Sequence, residues 1–254
     1  MMIEHSSAVD RLRLLLAEVR RERPAFRVFV LTGAGISRES GLATFRDAGG
    51  LWERYPIEEV ATPEAYQRNP ALVHKFYNLR RRDALAAEPN AAHRALHELG
   101  RALGERLTLV TQNVDDLHER AGSIDVVHMH GELRKLRCVE SGHVIEWTRD
   151  ADCDTRCPHC NSAVRPHIVW FGEIPMEMSR IERALDEADV FCAIGTSGTV
   201  YPAAGFISDF KRCGGVAIEV NPEPTGGPFD VRLVGPASTQ VPLLVQELTR
   251  TAVE

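Results

Sequence analysis

No apolar run in this 254-residue chain extends beyond a few residues. The sequence therefore offers neither a membrane-spanning helix nor the apolar centre of a secretory signal. It also lacks an excess of positive charge: 36 acidic residues against 30 Lys and Arg leave a formal net charge of -6. That balance gives no general attraction to phosphate backbones and weakly favours basic protein or peptide partners. Internal repeats and low-complexity tracts are missing as well. Five arginines between Asp10 and Arg23 hint at a transit peptide, but Glu4, Asp10, Glu18 and Glu22 spoil its acid-poor composition. The segment reads as a surface helix. A soluble, cytoplasmic chain that binds neither nucleic acid nor membrane is expected, with a monomer favoured. What is present, 44% hydrophobic and 26% charged residues, suits one large globular domain or two small ones.

Cysteine is sparse but unevenly spread. Of six, Cys138, Cys153, Cys157 and Cys160 crowd together, the last two as Cys157-Pro-His-Cys160. Without a secretion signal, reducing conditions favour a thiolate metal site over disulfides, and the Cys-x-x-Cys pair suits zinc, with Cys138 able to supply the opposite knuckle. Cys192 and Cys213 are expected to pack as small hydrophobes.

Short apolar runs at Val28–Thr32, Leu107–Thr111, Val190–Ile194 and Val216–Val220 read as buried parallel strands. Helical stretches at Ala91–Leu103 and Ile181–Asp189 lie between them. This alternation predicts an α/β fold with a doubly wound, mostly parallel, Rossmann-like sheet. Its core would come from residues 24–46, 91–132 and 167–254. Two insertions interrupt it: a polar, helical one over 47–90 and a cysteine-bearing one over 133–166. His167–Gly172 has the alternating, β-branched and aromatic character of a strand returning to the main sheet.

Gly33-Ala34-Gly35-Ile36-Ser37 follows the first strand directly, where backbone N–H groups and a helix start can approach a pyrophosphate. The third glycine of the dinucleotide fingerprint is Arg38 here, and no second strand with a terminal acid follows at the usual interval, so an ordinary hydride-transfer dehydrogenase is disfavoured. Downstream, Thr111-Gln112-Asn113-Val114-Asp115 and His128-Met129-His130-Gly131 add amide, carboxylate and imidazole groups. Together these describe a reaction centre for a phosphate-bearing cofactor. Phe45-Arg46-Asp47 leading to Gly49-Gly50-Leu51-Trp52 supplies an aromatic, a cation and hinge glycines, as a loop closing over that cofactor would need.

In this order, with Gly195-Thr196-Ser197 and Asn221, these motifs resemble those of the sirtuin family over about residues 26–240. The resemblance implies that NAD is consumed as a co-substrate. Its nicotinamide is displaced by the acyl oxygen of a modified lysine, which leads to lysine deacylation. Carried over by motif, His130 would be the general base acting on a ribose hydroxyl, near neutral pH where imidazole is suited to the task. Asp115 would hold the nicotinamide carboxamide, with Asn113, counted with His130 as catalytic, and Gln112 organising the ribose end. Phe45 would screen the reactive carbon, and Gly33, Ala34, Gly35, Ser37, Arg46 and Trp52 would complete that half of the NAD site. Gly195, Thr196, Ser197, Asn221, Glu223 and Ala237 would line the adenosine half. His128 reads as a structural hydrogen-bonder. Tyr201-Pro202 reads as a helix start.

Tyr77 and Arg80 share one helix face at i, i+3. This Tyr-x-x-Arg resembles the acyl pocket of class III sirtuins, including the bacterial CobB type, and implies that succinyl and malonyl lysine are accepted besides acetyl lysine. Arg81 and Arg82 are expected to be a solvated face. Val169, Phe171 and Gly172 would bind the acylated peptide as an added strand. The sequence departs from the family at the metal: Ser141 stands where a second Cys-x-x-Cys would close. Cys153, His143 or His159 would then complete the tetrahedron, and Cys153 is preferred beside Cys138, Cys157 and Cys160. Such a zinc would be structural. Two rival functions are weighed: NAD-consuming mono-ADP-ribosyl transfer, and a non-enzymatic, nucleotide-regulated zinc-ribbon adaptor.

Overall fold

The computed structural model describes residues 2–43 and 55–250. Strand β1, Val28–Thr32, is apolar along its length because both of its faces are covered. Val28 and Val30 pack with Leu109, Cys192 and Ile218 on one side, while Phe29 and Leu31 join Val110, Phe191 and Ala193 on the other. A strand with two dry faces has no reason to alternate, which is why these runs read as continuous apolar stretches.

Five further strands extend the sheet: β2 (Leu107–Thr111), β3 (Val127–His128), β7 (Val190–Ile194), β8 (Val216–Asn221) and β9 (Val231–Val234). Their order is β3-β2-β1-β7-β8-β9 and every pairing is parallel. Helices α1 (Met2–Glu22), α5 (Ala91–Leu103) and α9 (Ala237–Thr249) cover one face through Leu12, Leu16, Leu96, Leu99, Val241 and Leu244. On the opposite face lie α7 (Met178–Glu187) and α8 (Ala203–Arg212), with Ile181, Phe206 and Phe210. The doubly wound arrangement expected from the sequence is present, and β1, β2, β7 and α5 fall on the predicted residues.

The described residues between β1 and α5 include helices α2 (Ile57–Val60), α3 (Pro63–Arg68) and α4 (Pro70–Ala86). The last two each begin with proline at the first position behind a polar cap. Thr62 Oγ1 accepts from Ala65 N at 3.1 Å and Asn69 Oδ1 from Leu72 N at 3.1 Å, the residue types that satisfy or dispense with the orphan amides of a first turn. Val73, Phe76 and Tyr77 of α4 form a small core with Leu133, Ile168 and Trp170. The cysteine-bearing segment folds as a three-stranded antiparallel sheet in the order β5-β4-β6, with β4 Gly131–Cys138, β5 Val144–Glu146 and β6 Val164–Ile168.

Three expectations are corrected. The strand expected at His167–Gly172 lies earlier, at Val164–Ile168, and belongs to the small sheet instead of returning to the large one. Residues beyond it turn away, with Gly172 at φ +91° and Trp170 N bonded to the Glu173 carboxylate at 2.8 Å. Arg81 is not solvated: it is 1% exposed. Its Nε donates to Leu133 O at 2.6 Å and its Nη1 to Asn78 Oδ1 at 2.7 Å, so it ties α4 to β4. Arg82, by contrast, does lie in solvent, facing Asp150. Cys192 packs in the core as expected, and burial pushes its thiol up to about 12. Cys213 sits exposed at the C-terminus of α8 instead of in the core.

Candidate active site

The strand order reverses around β1, which has β2 on one side and β7 on the other. A crevice beyond the strands' C-terminal ends is therefore the expected ligand site. Four predicted segments meet there. Gly33 N donates to Ile194 O at 3.0 Å and Gly35 N to Gly195 O at 2.8 Å, while Gln112 Nε2 donates to Thr196 Oγ1 at 3.0 Å and Asn221 Nδ2 to Thr196 O at 2.8 Å.

The glycines have a more specific reason than phosphate approach. A Cβ on Gly35 would lie 2.7 Å from Gly195 Cα, and one on Gly195, which holds φ +62°, would lie 2.4 Å from Ile36 N. The two loops touch backbone to backbone, and the Gly33 and Gly35 amides expected to face a pyrophosphate are committed to this seam. Glu39 extends the connection by accepting from Ser238 N at 2.9 Å, joining the turn after Gly35 to the first turn of α9, where Ala237 is buried. Ser197 Oγ pairs with Thr199 Oγ1 at 2.7 Å, and Glu223 lies exposed beyond β8. Phe45, Arg46 and Trp52 lie outside the described residues.

Ser37, almost fully buried, is the hub of the other half. Its hydroxyl donates to Asp115 Oδ2 at 3.1 Å and accepts from Asn113 Nδ2 at 3.2 Å. Asp115 Oδ1 accepts the Leu117 amide at 3.2 Å. Burial raises the Asp115 carboxyl above its usual range, although these donors pull the other way. Behind Ser37 stands His93, which motif reading missed. Its Nδ1 accepts the Asn90 amide at 3.3 Å, so Nε2 carries the proton and faces Ser37 Oγ at 3.4 Å. Burial lowers His93 to about 4, keeping it neutral. The available signal was Asn90-x-x-His93 at the start of α5, the spacing of a capping box, which the structure forms.

His130 lies between β3 and β4, with Nδ1 3.1 Å from the Gln112 carbonyl oxygen. A carbonyl can only accept, so Nδ1 is the protonated nitrogen and Nε2 keeps its lone pair. Burial holds His130 below the usual imidazole value, so the basic form persists at neutral pH. The next residue has to be glycine: Gly131 has φ +83°, and a Cβ there would fall 2.1 Å from His167 O. His128 behaves differently, with Nδ1 3.3 Å from Asn113 O and Nε2 2.8 Å from Glu119 Oε1. Burial disfavours its charge, but the Glu119 hydrogen bond and carboxylate outweigh this and raise its pKa. It is the structural hydrogen-bonder expected.

Tyr77 is buried, and its hydroxyl accepts from Trp170 Nε1 at 3.0 Å. Burial pushes the phenol up to about 12, so it stays protonated. Arg80, on the same face of α4, lies 5.9 Å from the Phe76 ring centroid. Burial lowers the pKa of its guanidinium, while the Tyr77 phenol and the Asp115 carboxylate raise it. Arg80 thus lies within electrostatic reach of Asp115, while Tyr77 beside it is enclosed in the small core with Trp170. Val169 N donates to His130 O at 2.9 Å and Phe171 N to Ala61 O at 3.0 Å, so both belong to the seam between the small sheet and α2. Phe171 and Gly172 are exposed at its rim.

Sulfur atoms of Cys138, Cys157 and Cys160 lie within 4.8 Å of one another. Hydrogen bonds from Ser162 and its neighbours lower the Cys160 thiol to about 6, and the Ser141 bonds lower Cys138. Three clustered thiols, with Cys138 and Cys160 biased toward thiolate, fit a zinc ion. Cys153, expected as the fourth ligand, is not in this group. It lines a separate cavity of about 400 Å³ with Tyr66 and Trp170. Ser141 Oγ also lies beside Cys160, accepting from its Sγ at 3.8 Å, and it is bonded to His143 Nδ1 at 2.9 Å.

The profile of the Sir2 family matches residues 33–202, and the chain belongs to that family. It is 55% identical over 233 residues to an NAD-dependent protein deacylase of Shigella flexneri, covering 89% of this chain and 85% of the relative. Among solved structures, a Sir2 homolog–NAD complex superposes with a TM-score of 0.79 at 41% identity, covering 87% of this chain and 89% of the other. A Sir2 protein bound to acetylated peptide gives 0.72 at 28% identity, covering 87% and 92%.

Proposed function

We propose that this chain is an NAD-dependent protein-lysine deacylase acting on acetyl and acidic acyl groups. Acyl-lysine, NAD and water would give lysine, nicotinamide and O-acyl-ADP-ribose. The observation that carries this reading is His130: the Gln112 carbonyl fixes its proton on Nδ1 and leaves Nε2 its lone pair, and Gln112 directly precedes Asn113, whose side chain belongs to the buried Asn113–Ser37–Asp115 cluster. A neutral imidazole held in one tautomer is what proton removal from a ribose hydroxyl requires.

The other groups divide the work. Asp115 would accept from the nicotinamide carboxamide, and Asn113 would orient the ribose. Gln112 would join Asn113 at the ribose end, and Gly195, Thr196 and Asn221 would bind the adenosine half. Tyr77 and Arg80 would meet the carboxylate of succinyl or malonyl lysine, the phenol by donating a hydrogen bond and the guanidinium by charge. Val169, Phe171 and Gly172 would hold the peptide through main-chain groups other than the Val169 and Phe171 amides, which bond His130 O and Ala61 O. Cys138, Cys157 and Cys160 would hold zinc, which supplies a brace for the small sheet and no chemistry of acyl transfer.

Purified protein incubated with acetylated and succinylated forms of one peptide, with and without NAD, tests the proposal by mass spectrometry. NAD-dependent loss of both acyl groups with O-acyl-ADP-ribose is the expected result. Transfer of ADP-ribose to protein, or NAD hydrolysis without deacylation, would replace it with the ADP-ribosyl reading.

A further inference from the structure

Beneath the crevice lies a second buried histidine that the proposed chemistry does not use. Short helix α6, Leu117–Arg120, carries His118, which is 1% exposed, with Nε2 3.0 Å from Thr32 Oγ1. Thr32 and Thr111 are register partners and the last residues of β1 and β2. Both are fully buried, and the Thr32 hydroxyl donates to Thr111 Oγ1 at 2.8 Å. Thr111 Oγ1 in turn accepts the backbone amide of Asn113 at 3.0 Å. Among the described residues His118 Nδ1 is buried without a partner. An orphaned N–H is the rarer and costlier vacancy in a protein interior, so the proton belongs on Nε2. The proton order is then fixed: His118 Nε2–H to Thr32, Thr32 to Thr111, with the Asn113 amide closing on Thr111 from the other end. Burial keeps His118 neutral, as this order requires.

From this arrangement we infer that His118 is a positioning residue for the reaction: acting through Thr32 and Thr111, it sets the backbone of Asn113. The side chain of Asn113 is held separately by Ser37. The asparagine is thus fixed at both its main chain and its amide, and its placement depends on two histidines that touch neither substrate.

This inference rests on the deacylase reading, and its test separates the two. Deacylation kinetics are measured for the wild type, His118→Leu, His118→Gln, Thr32→Val and the Leu/Val double variant, normalised to the folded fraction by circular dichroism. Hydrogen exchange at the Asn113 amide is followed in parallel. His118→Leu is expected to lower kcat about tenfold, the scale of one neutral hydrogen bond, with KM for the acyl peptide within about twofold. His118→Gln, which returns a donor near the Nε2 position, recovers most of that loss. Thr32→Val, nearly isosteric, reproduces it, and the double variant loses no more than the worse single, as members of one chain should. Both single losses speed exchange of the Asn113 amide. Unchanged kcat in His118→Leu or Thr32→Val, additive losses, or equal damage from the Gln and Leu variants would overturn the inference. If His118→Leu does not fold, Thr32→Val decides. A wild type without NAD-dependent turnover would sink the deacylase reading alone, while unaltered Asn113 exchange in the variants would still refute the relay.

Discussion

His130 concentrates the residue-scale consequences. Removing a general base costs on the order of 10²- to 10⁴-fold in rate, so His130→Ala is expected to lose at least two decades of kcat while NAD still binds, measured by isothermal titration. Because burial holds His130 below its usual value, the base form is present at neutral pH and is lost only as pH falls through that lowered value. The acid limb of kcat/KM should therefore lie below pH 6.5, and a limb above it would contradict the assignment. Arg80 gives the second prediction. A charge-assisted contact is worth roughly 1.5 to 3 kcal/mol, so Arg80→Met should depress desuccinylation by about one to two decades relative to deacetylation. Equal loss on both peptides would remove Arg80 from the acyl pocket. The residues that would touch ligand were legible as motifs because they cluster in short stretches around glycine. His93 was not, because it reaches Ser37 from a helix 56 positions away, and its sequence neighbours look like any capped helix start.

At the scale of elements, the small sheet depends on its cysteine corner and on Arg81. Its own core is slight, confined to Leu136, Cys138, Ala151, Cys157 and Val164, so a bound metal would supply much of its stability. Purified protein is expected to carry roughly one zinc per chain, by the coordination typical of such clusters. Cys157→Ser should lose it, with a lower thermal midpoint by circular dichroism, whereas Cys153→Ser should retain it. Strands β1, β2, β7 and β8 were readable because burial leaves an apolar signature, whereas the short edge strands β3 and β9, only partly buried, were not. Those of the small sheet were not, since β4 alternates buried and half-exposed positions amid charged residues. The Val164–Ile168 strand even contains Pro166, which composition alone argues against. Arg81 was misread for a related reason. An arginine triplet on a helix reads as solvated, and only the carbonyl of Leu133 on another element shows why the middle one is buried.

For the molecule as a whole, α1 is part of the core and no appendage. Leu12 and Leu16 are buried beside Val220, Leu233 and Leu248, so this helix joins the far edge of the sheet to α9. Leu16→Ala should cost about 2 to 5 kcal/mol, a fall of roughly 4 to 20 °C in Tm at 2 to 4 °C per kcal/mol. KM for NAD should stay unchanged, because the contact lies away from the crevice; a change in KM would mean that α1 shapes the site. No helix among the described residues is long and apolar enough to cross a membrane. At the junction of Gly33, Gly35 and Gly195, main chain meets main chain with no room for a methyl group. Side-chain variation has nothing to work with there. Attempts to redirect this protein toward another dinucleotide must recruit residues outside that contact, and any mutational library spanning it should return glycine at all three positions.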